Sequence, residues 1–121
     1  MSDKITERII GAAIEIHKAL GCGLLESIYE EALCHEFDLE EIQYDQQYEI
    51  DVIYKNKVIR GQRLDLLVMG KVVVEIKSLR YLPDVATAQV LSYLKATNLK
   101  RGLIINFGKA RLTDGLKRIS F

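Results

Sequence analysis

Three ionisable side chains, Asp65, Glu75 and Lys77, interrupt two strongly apolar runs in the middle of the chain, Leu64 to Met69 and Val72 to Lys77. Two carboxylates and an ammonium in such surroundings are costly to bury unless something compensates them. A divalent cation held by Asp65 and Glu75, with Lys77 beside a bound water, would do so. The runs read as a β-hairpin, because β-branched residues dominate the second and Gly70-Lys71 is a tight-turn pair. With a side-chain period of two, Val73, Glu75 and Lys77 share one face of the second strand while Val72, Val74 and Ile76 line the other. Pairing across the hairpin brings the Asp65 carboxylate towards the first of these faces. The bland alternative is a structural pair of Glu75 with Lys77 on a half-buried strand with no concave opening.

Other polar residues stand where chemistry or packing would use them. Glu26 falls in the first turn of a helix, where the dipole favours a carboxylate, and at the border of an apolar stripe. On spacing alone it is a helix-start acid. Gln89 and Tyr93 follow Val85 at intervals of four on a later helix, so the three stack along one face. A glutamine and a tyrosine in a core helix must each find a hydrogen-bond partner. Pattern alone leaves satisfied core polars and a functional pair equally open. His17 has no visible partner and reads as a surface or satisfied histidine.

The elements that must position these residues follow from periodicity. Ser2 or Asp3 can cap a first helix carrying Ile5, Ile9, Ala12, Ala13, Ile16 and Leu20 at helical spacing, widened by Ile10 and Ile14 and ended by Gly21-Cys22-Gly23. A second helix, about Leu24 to Phe37, places Leu25, Ile28, Tyr29, Ala32, Leu33 and Phe37 on one apolar face. From Tyr44 the period becomes alternating, with Tyr48, Ile50, Val52 and Tyr54 opposed to Glu49 and Asp51. Lys55-Asn56-Lys57 is a turn, and the strand beginning near Val58 passes Gly61, a bulge or bend, into Asp65. Ser78 to Pro83 is a loop, Asp84 caps a helix to about Thr97, Leu103 to Phe107 is a short strand, and Leu116 to Phe121 a terminal strand or turn.

At 121 residues the chain is expected to form one domain, residues 1–121, with a real core. Its 17 basic and 17 acidic residues balance, which argues against a protein that coats nucleic acid. The balance hides a polarity. Residues 1 to 51 hold 13 acids and 3 bases, a net charge of −10, and residues 52 to 121 hold 14 bases and 4 acids, a net charge of +10. Such asymmetry can build a basic surface, or it can be two halves neutralising each other. Cys22 and Cys34, in neither a CxxC nor a zinc-site spacing, read as buried reduced thiols. No signal peptide or apolar run long enough to span a membrane is apparent, so a cytoplasmic location is expected.

Gly23-Leu24-Leu25-Glu26-Ser27-Ile28-Tyr29 resembles the signature of the GxxExxY family of small bacterial and archaeal proteins. The likeness continues through Glu30-Glu31-Ala32-Leu33, Asp65-Leu66-Leu67-Val68, Glu75-Ile76-Lys77, Gln89 to Lys95 and Leu103 to Gly108, nearly the whole chain. That family looks like a branch of the PD-(D/E)XK nuclease superfamily. The resemblance implies an α/β fold with an αβββαβ core, a mixed sheet flanked by helices, which agrees with the order of elements read from periodicity. By motif position it implies Asp65 and Glu75 as metal ligands and Lys77 as the lysine that orients or activates the attacking water. Glu26 resembles the acidic residue of the first core helix, a ligand directly or through water. Gln89 to Tyr93 resembles the QxxxY motif of the RecB-like branch, whose glutamine and tyrosine help to position metal and substrate. Leu64 stands in place of the namesake proline, and Ala86 where relatives often have histidine.

The function this implies is hydrolysis of phosphodiester bonds, of DNA, in repair, recombination or defence, with Mg²⁺ or Mn²⁺, because hard oxygen ligands with open positions suit those ions better than zinc. Arg80, Lys95, Lys100 and Arg101 belong to the basic half and can contact a nucleic-acid backbone without reading sequence. The alternative is a catalytically silent module of the same fold that binds nucleic acid or a protein partner. A homodimer is compatible with either.

Overall fold

The computed structural model describes residues 3–121; Ser2, one of the two capping candidates, lies outside the described residues. The other, Asp3, caps α1 (Lys4–Leu20), accepting the Ile5 N–H at 3.1 Å and the Thr6 hydroxyl at 2.7 Å. Then follow α2 (Glu26–Leu39), β1 (Tyr44–Tyr54), β2 (Lys57–Val68), β3 (Val72–Lys77), α3 (Asp84–Thr97), β4 (Arg101–Asn106), a 3-10 turn (Leu112–Gly115) and β5 (Leu116–Ser120). The five strands form one mixed sheet in chain order, antiparallel except for the parallel pair β3 and β4, which α3 connects. The fold is α/β, and α2 through β4 reproduces the αβββαβ order.

The sheet is buried on both sides. Ile9, Ala12, Ala13 and Ile16 of α1 and Tyr29, Leu33, Cys34 and Phe37 of α2 pack on Leu66, Val68, Val72, Val74, Ile76, Leu103, Ile105 and Phe107. Ala86, Val90, Tyr93 and Leu94 of α3 pack on Ile50, Leu64, Leu67, Val73, Ile104 and Ile119. Strand alternation therefore sends Val73 to the α3 side and Val72, Val74 and Ile76 to the other, as the period of two requires. Gly102 is the point of closest approach of α3, since a Cβ there would lie 2.5 Å from Val90.

Several expectations are corrected. Leu25 and Ile28 do not join the apolar face of α2: the helix begins at Glu26, Leu25 is its cap position and 73% exposed, and Ile28 is also exposed. Leu20 is exposed as well. Cys34 is buried, with its thiol pushed up to about 11 by desolvation and then by Glu30 and Glu31, but Cys22 is exposed. Asp84 is the first residue of α3 and Pro83 its cap. The β2–β3 turn centres on Met69 and Gly70, both left-handed (φ 56° and 64°), closed by Lys71 N–H to Val68 C=O at 3.0 Å.

The outer part of β1 and β2 departs most from expectation. Only Ile50 of the alternating set Tyr48, Ile50, Val52 and Tyr54 is buried, and residues 51–63 form an exposed two-stranded ribbon. Gly61 (φ 110°) lies in a bulge, where Arg60 and Gly61 oppose Asp51.

Candidate functional site

β2 and β3 pair regularly through Val68–Val72, Leu67–Val73 and Leu66–Val74, and then the ladder stops. At the next position the backbone donors are taken by carboxylates. The Asp65 N–H donates to Glu75 Oε1 at 2.8 Å, and the Ile76 N–H donates to Asp65 Oδ2 at 2.8 Å. Each acid thus fills a gap in the ladder on the opposite strand, which fixes both carboxylates side by side. Asp65 is half-buried and Glu75 only 4% exposed. Desolvation, then the charge of Asp65, pushes the Glu75 carboxyl up to about 8, against the lowering effects of the Asp65 N–H and of Lys77.

Lys77 ends β3 on the same side, half-buried and close enough to act on Glu75 electrostatically, yet among the described residues it is in ion-pair contact with neither acid. A structural Glu75–Lys77 pair is therefore not what holds these charges. From α3, Tyr93 comes under the field of Glu75 and Asp65. Its hydroxyl accepts Gln62 Nε2 at 2.9 Å, and Gln89 lies one turn earlier on the same helix. Burial, then Glu75, raises the Tyr93 phenol above its ordinary value, so it is a neutral donor at physiological pH. The structure brings together Asp65, Glu75, Lys77, Gln89 and Tyr93.

Glu26 sits elsewhere on the rim. The turn before α2 is pinned by Tyr29, whose buried hydroxyl donates to Gly21 C=O at 2.6 Å and accepts the Leu24 N–H at 3.2 Å, while its ring stacks on Phe107 at 4.3 Å. This explains the motif spacing locally: Gly23 takes φ 101°, and the tyrosine holds the turn that presents Glu26. Glu26 lines a hollow with Ser78, Leu79 and Arg80, the residues that follow Lys77. Among the described residues no group of three or more His, Cys, Asp or Glu side chains is assembled to hold a metal.

The remaining basic candidates divide between the ends of the sheet. Because β3 and β4 are parallel, with Lys77 opposite Asn106 and Val72 opposite Arg101, Lys100 and Arg101 open the end away from Lys77. Six residues of strand separate the two by about 17 Å. Lys95 is in the last turn of α3, near that same far end, and Arg101 is engaged by Asp3 at 3.0 Å. Arg80 alone of the four stands at the Lys77 end.

Three features lay beyond the sequence reading. Gln47, left-handed within β1 (φ 52°), donates to Glu30 at 3.1 Å and to Asp65 Oδ1 at 3.3 Å, linking α2 to the acid pair. Gln62 reaches Tyr93 from the ribbon. Asn106, buried, accepts the N–H groups of Leu79 at 2.9 Å and Gly108 at 3.0 Å and donates to Leu79 C=O at 3.0 Å, which locks the loop after Lys77. Its one visible signal is a carboxamide ending an otherwise apolar strand.

Comparison with known proteins agrees with this architecture. The family model of the PD-(D/E)XK nuclease superfamily matches residues 3–119, and the chain belongs to that superfamily. The crystal structure of SSO0001 is similar in fold at 20% identity and a TM-score of 0.50, covering 98% of this chain and 78% of the other. A search of curated proteins returned no match. Membership supports a nuclease-type function and nucleic acid as the partner, in a superfamily that generally uses divalent metals. No helix among the described residues is long and apolar enough to cross a membrane.

Proposed function

We propose that this chain is a divalent-metal-dependent nuclease that hydrolyses DNA, of the GxxExxY group and akin to the RecB-like branch. The observation that carries the reading is the acid pair. Two carboxylates are held in contact distance of one another's strands, one of them raised to about 8, with no cation in ion-pair contact among the described residues. Asp65 and Glu75 fit a small hard cation: each keeps an oxygen not committed to a backbone donor, and a positive charge between them offsets both repulsion and burial. Mg²⁺ or Mn²⁺ held there supplies positive charge against the phosphodiester and acidity to the attacking water.

The chain's own groups then have separable tasks. Lys77 sets a positive charge beside the acids, against the phosphate oxygens as charge develops. Tyr93, kept protonated, offers a hydroxyl oriented by Gln62. Glu26 contributes from the rim through water, and Arg80 binds a flanking phosphate. Lys95, Lys100 and Arg101, at the far end, bear on a nucleic acid long enough to pass along the sheet.

A cleavage panel of single-stranded, duplex and branched DNA with Mg²⁺ or Mn²⁺ tests the proposal. Cleavage by the wild type that is lost in Glu75→Gln supports it. The second reading, a silent binding module, is favoured by the lack of a three-acid cluster among the described residues. Salt-sensitive DNA binding without cleavage of any substrate would select it.

A further inference from the structure

The hollow beside Glu26 has features that the acid pair does not use. It is about 440 Å³, open to solvent, and lined also by Gly23, Leu24, Leu25, Leu79 and Gly108. From Arg80 at its rim the chain passes to Tyr81, 73% exposed, with the Arg80 guanidinium carbon 5.5 Å and the Lys109 ammonium 5.1 Å from the ring centroid.

This rim is built rather than loose. Lys109 Nζ donates to Arg80 C=O at 2.7 Å, the Lys109 carbonyl is met by His17 Nε2 at 2.9 Å, and Ser78 Oγ donates to Leu24 C=O at 2.6 Å. Asn106 clamps Leu79 as described, and Gly108 lies so close to the Leu79 backbone that no side chain fits between them. The loop after Lys77 and the segment after β4 that carries Lys109 are therefore tied together beside the aromatic ring. Tyr81 is four residues from Lys77, at most roughly 14 Å along the chain.

An exposed aromatic ring with two cations held over it suits a base with its flanking phosphates. Inside a duplex the base faces are covered by their neighbours, so a nucleotide outside the stack is what presents a free face to Tyr81. Resting on the nuclease reading above, we infer that Tyr81, Arg80 and Lys109 form a subsite for an unpaired nucleotide beside the scissile phosphate, which makes the substrate a single strand or a duplex with a frayed or overhanging end. Tyr81 supplies the stacking ring and the cations hold the phosphates.

The test is binding measured by fluorescence anisotropy in EDTA, using two decamers of equal charge: oligothymidylate and an abasic sugar-phosphate strand. The wild type is expected to hold oligothymidylate about tenfold more tightly. Tyr81→Ala should erase that preference with an unchanged melting temperature, and Tyr81→Phe should keep it. Arg80→Gln should weaken both strands equally and reduce the salt slope by about 0.7. A tenfold preference that persists in Tyr81→Ala overturns the inference, as does equal binding of the two strands, or none, by the wild type. A wild type that cleaves no substrate yet shows the Tyr81-dependent preference refutes the nuclease reading alone. Cleavage without that preference refutes the subsite alone.

Discussion

Asp65 and Glu75 complete each other's strands: the Glu75 carboxylate accepts the Asp65 N–H and the Asp65 carboxylate accepts the Ile76 N–H, both at 2.8 Å. The bonds that hold the acids in place also force two like charges together in a poorly solvated position. The metal-free fold should report this conflict.

Its pH dependence has a definite sign. Glu75 is raised in the fold from 4.5 to about 8, so the folded state takes up a proton that the unfolded chain has lost. The associated stability is fully present below pH 4.5 and lost as pH rises through about 8. Thermal melts in EDTA should show a melting temperature that falls between pH 5 and 8.5, as stability on the order of a few kcal/mol is lost. Glu75→Gln, which keeps the acceptor for the Asp65 N–H, should flatten the profile.

Metal linkage is the complementary measurement. At pH 8, Mg²⁺ or Mn²⁺ should raise the wild-type melting temperature and leave Asp65→Asn nearly unmoved, while the metal-free variant is as stable as the wild type or more so, because one of the repelling charges is gone. Equal shifts in both proteins would put the ion elsewhere.

Lys77 separates chemistry from metal binding. Lys77→Ala should lower the cleavage rate by about 10²- to 10³-fold, as loss of a group that stabilises developing charge does, and keep the metal-induced rise in melting temperature. Glu75→Ala should lose both, and it also deprives the Asp65 N–H of its acceptor. Unchanged cleavage in Lys77→Ala would reject the assignment.

The Asn106 clamp is a stability prediction. Asn106→Ala removes two acceptor contacts and one donor contact from a side chain that is 1% exposed. A loss of about 2–4 kcal/mol in chemical denaturation is expected. Gly108→Ala should also be destabilising, since its Cβ meets the Leu79 backbone, which cannot give way as a side-chain tip can. A loss below about 1 kcal/mol for Asn106→Ala would mean that water replaces the clamp.

Much of this was legible because periodicity is a local property. The period of two put Val73, Glu75 and Lys77 on one face, and the spacing of four put Gln89 beside Tyr93. What failed depends on relations between distant segments. Leu25 and Ile28 carry the helical spacing of a core face, but α2 needs only Tyr29, Leu33, Cys34 and Phe37 to cover its share of the sheet. The placing of Lys100 and Arg101 away from Lys77 follows from β4 running parallel to β3, which their charge does not encode. Gln47 gave no signal, because a left-handed residue inside a strand is not marked by its type.

The sheet's order matches the order of its strands along the chain, and α3 spans its single parallel connection. β2 and β3 are joined through the two-residue turn at Met69 and Gly70, so the hairpin bearing Asp65 and Glu75 closes on a timescale of about 1–10 μs, before the slower crossover through α3 delivers Gln89 and Tyr93. Where this hairpin is already formed in the folding transition state, the repulsion of its acid pair weighs on the folding rate more than on the unfolding rate. Rising pH should then slow refolding, and a divalent cation captured by the hairpin should restore it, making the ion a ligand whose binding drives formation of its own site.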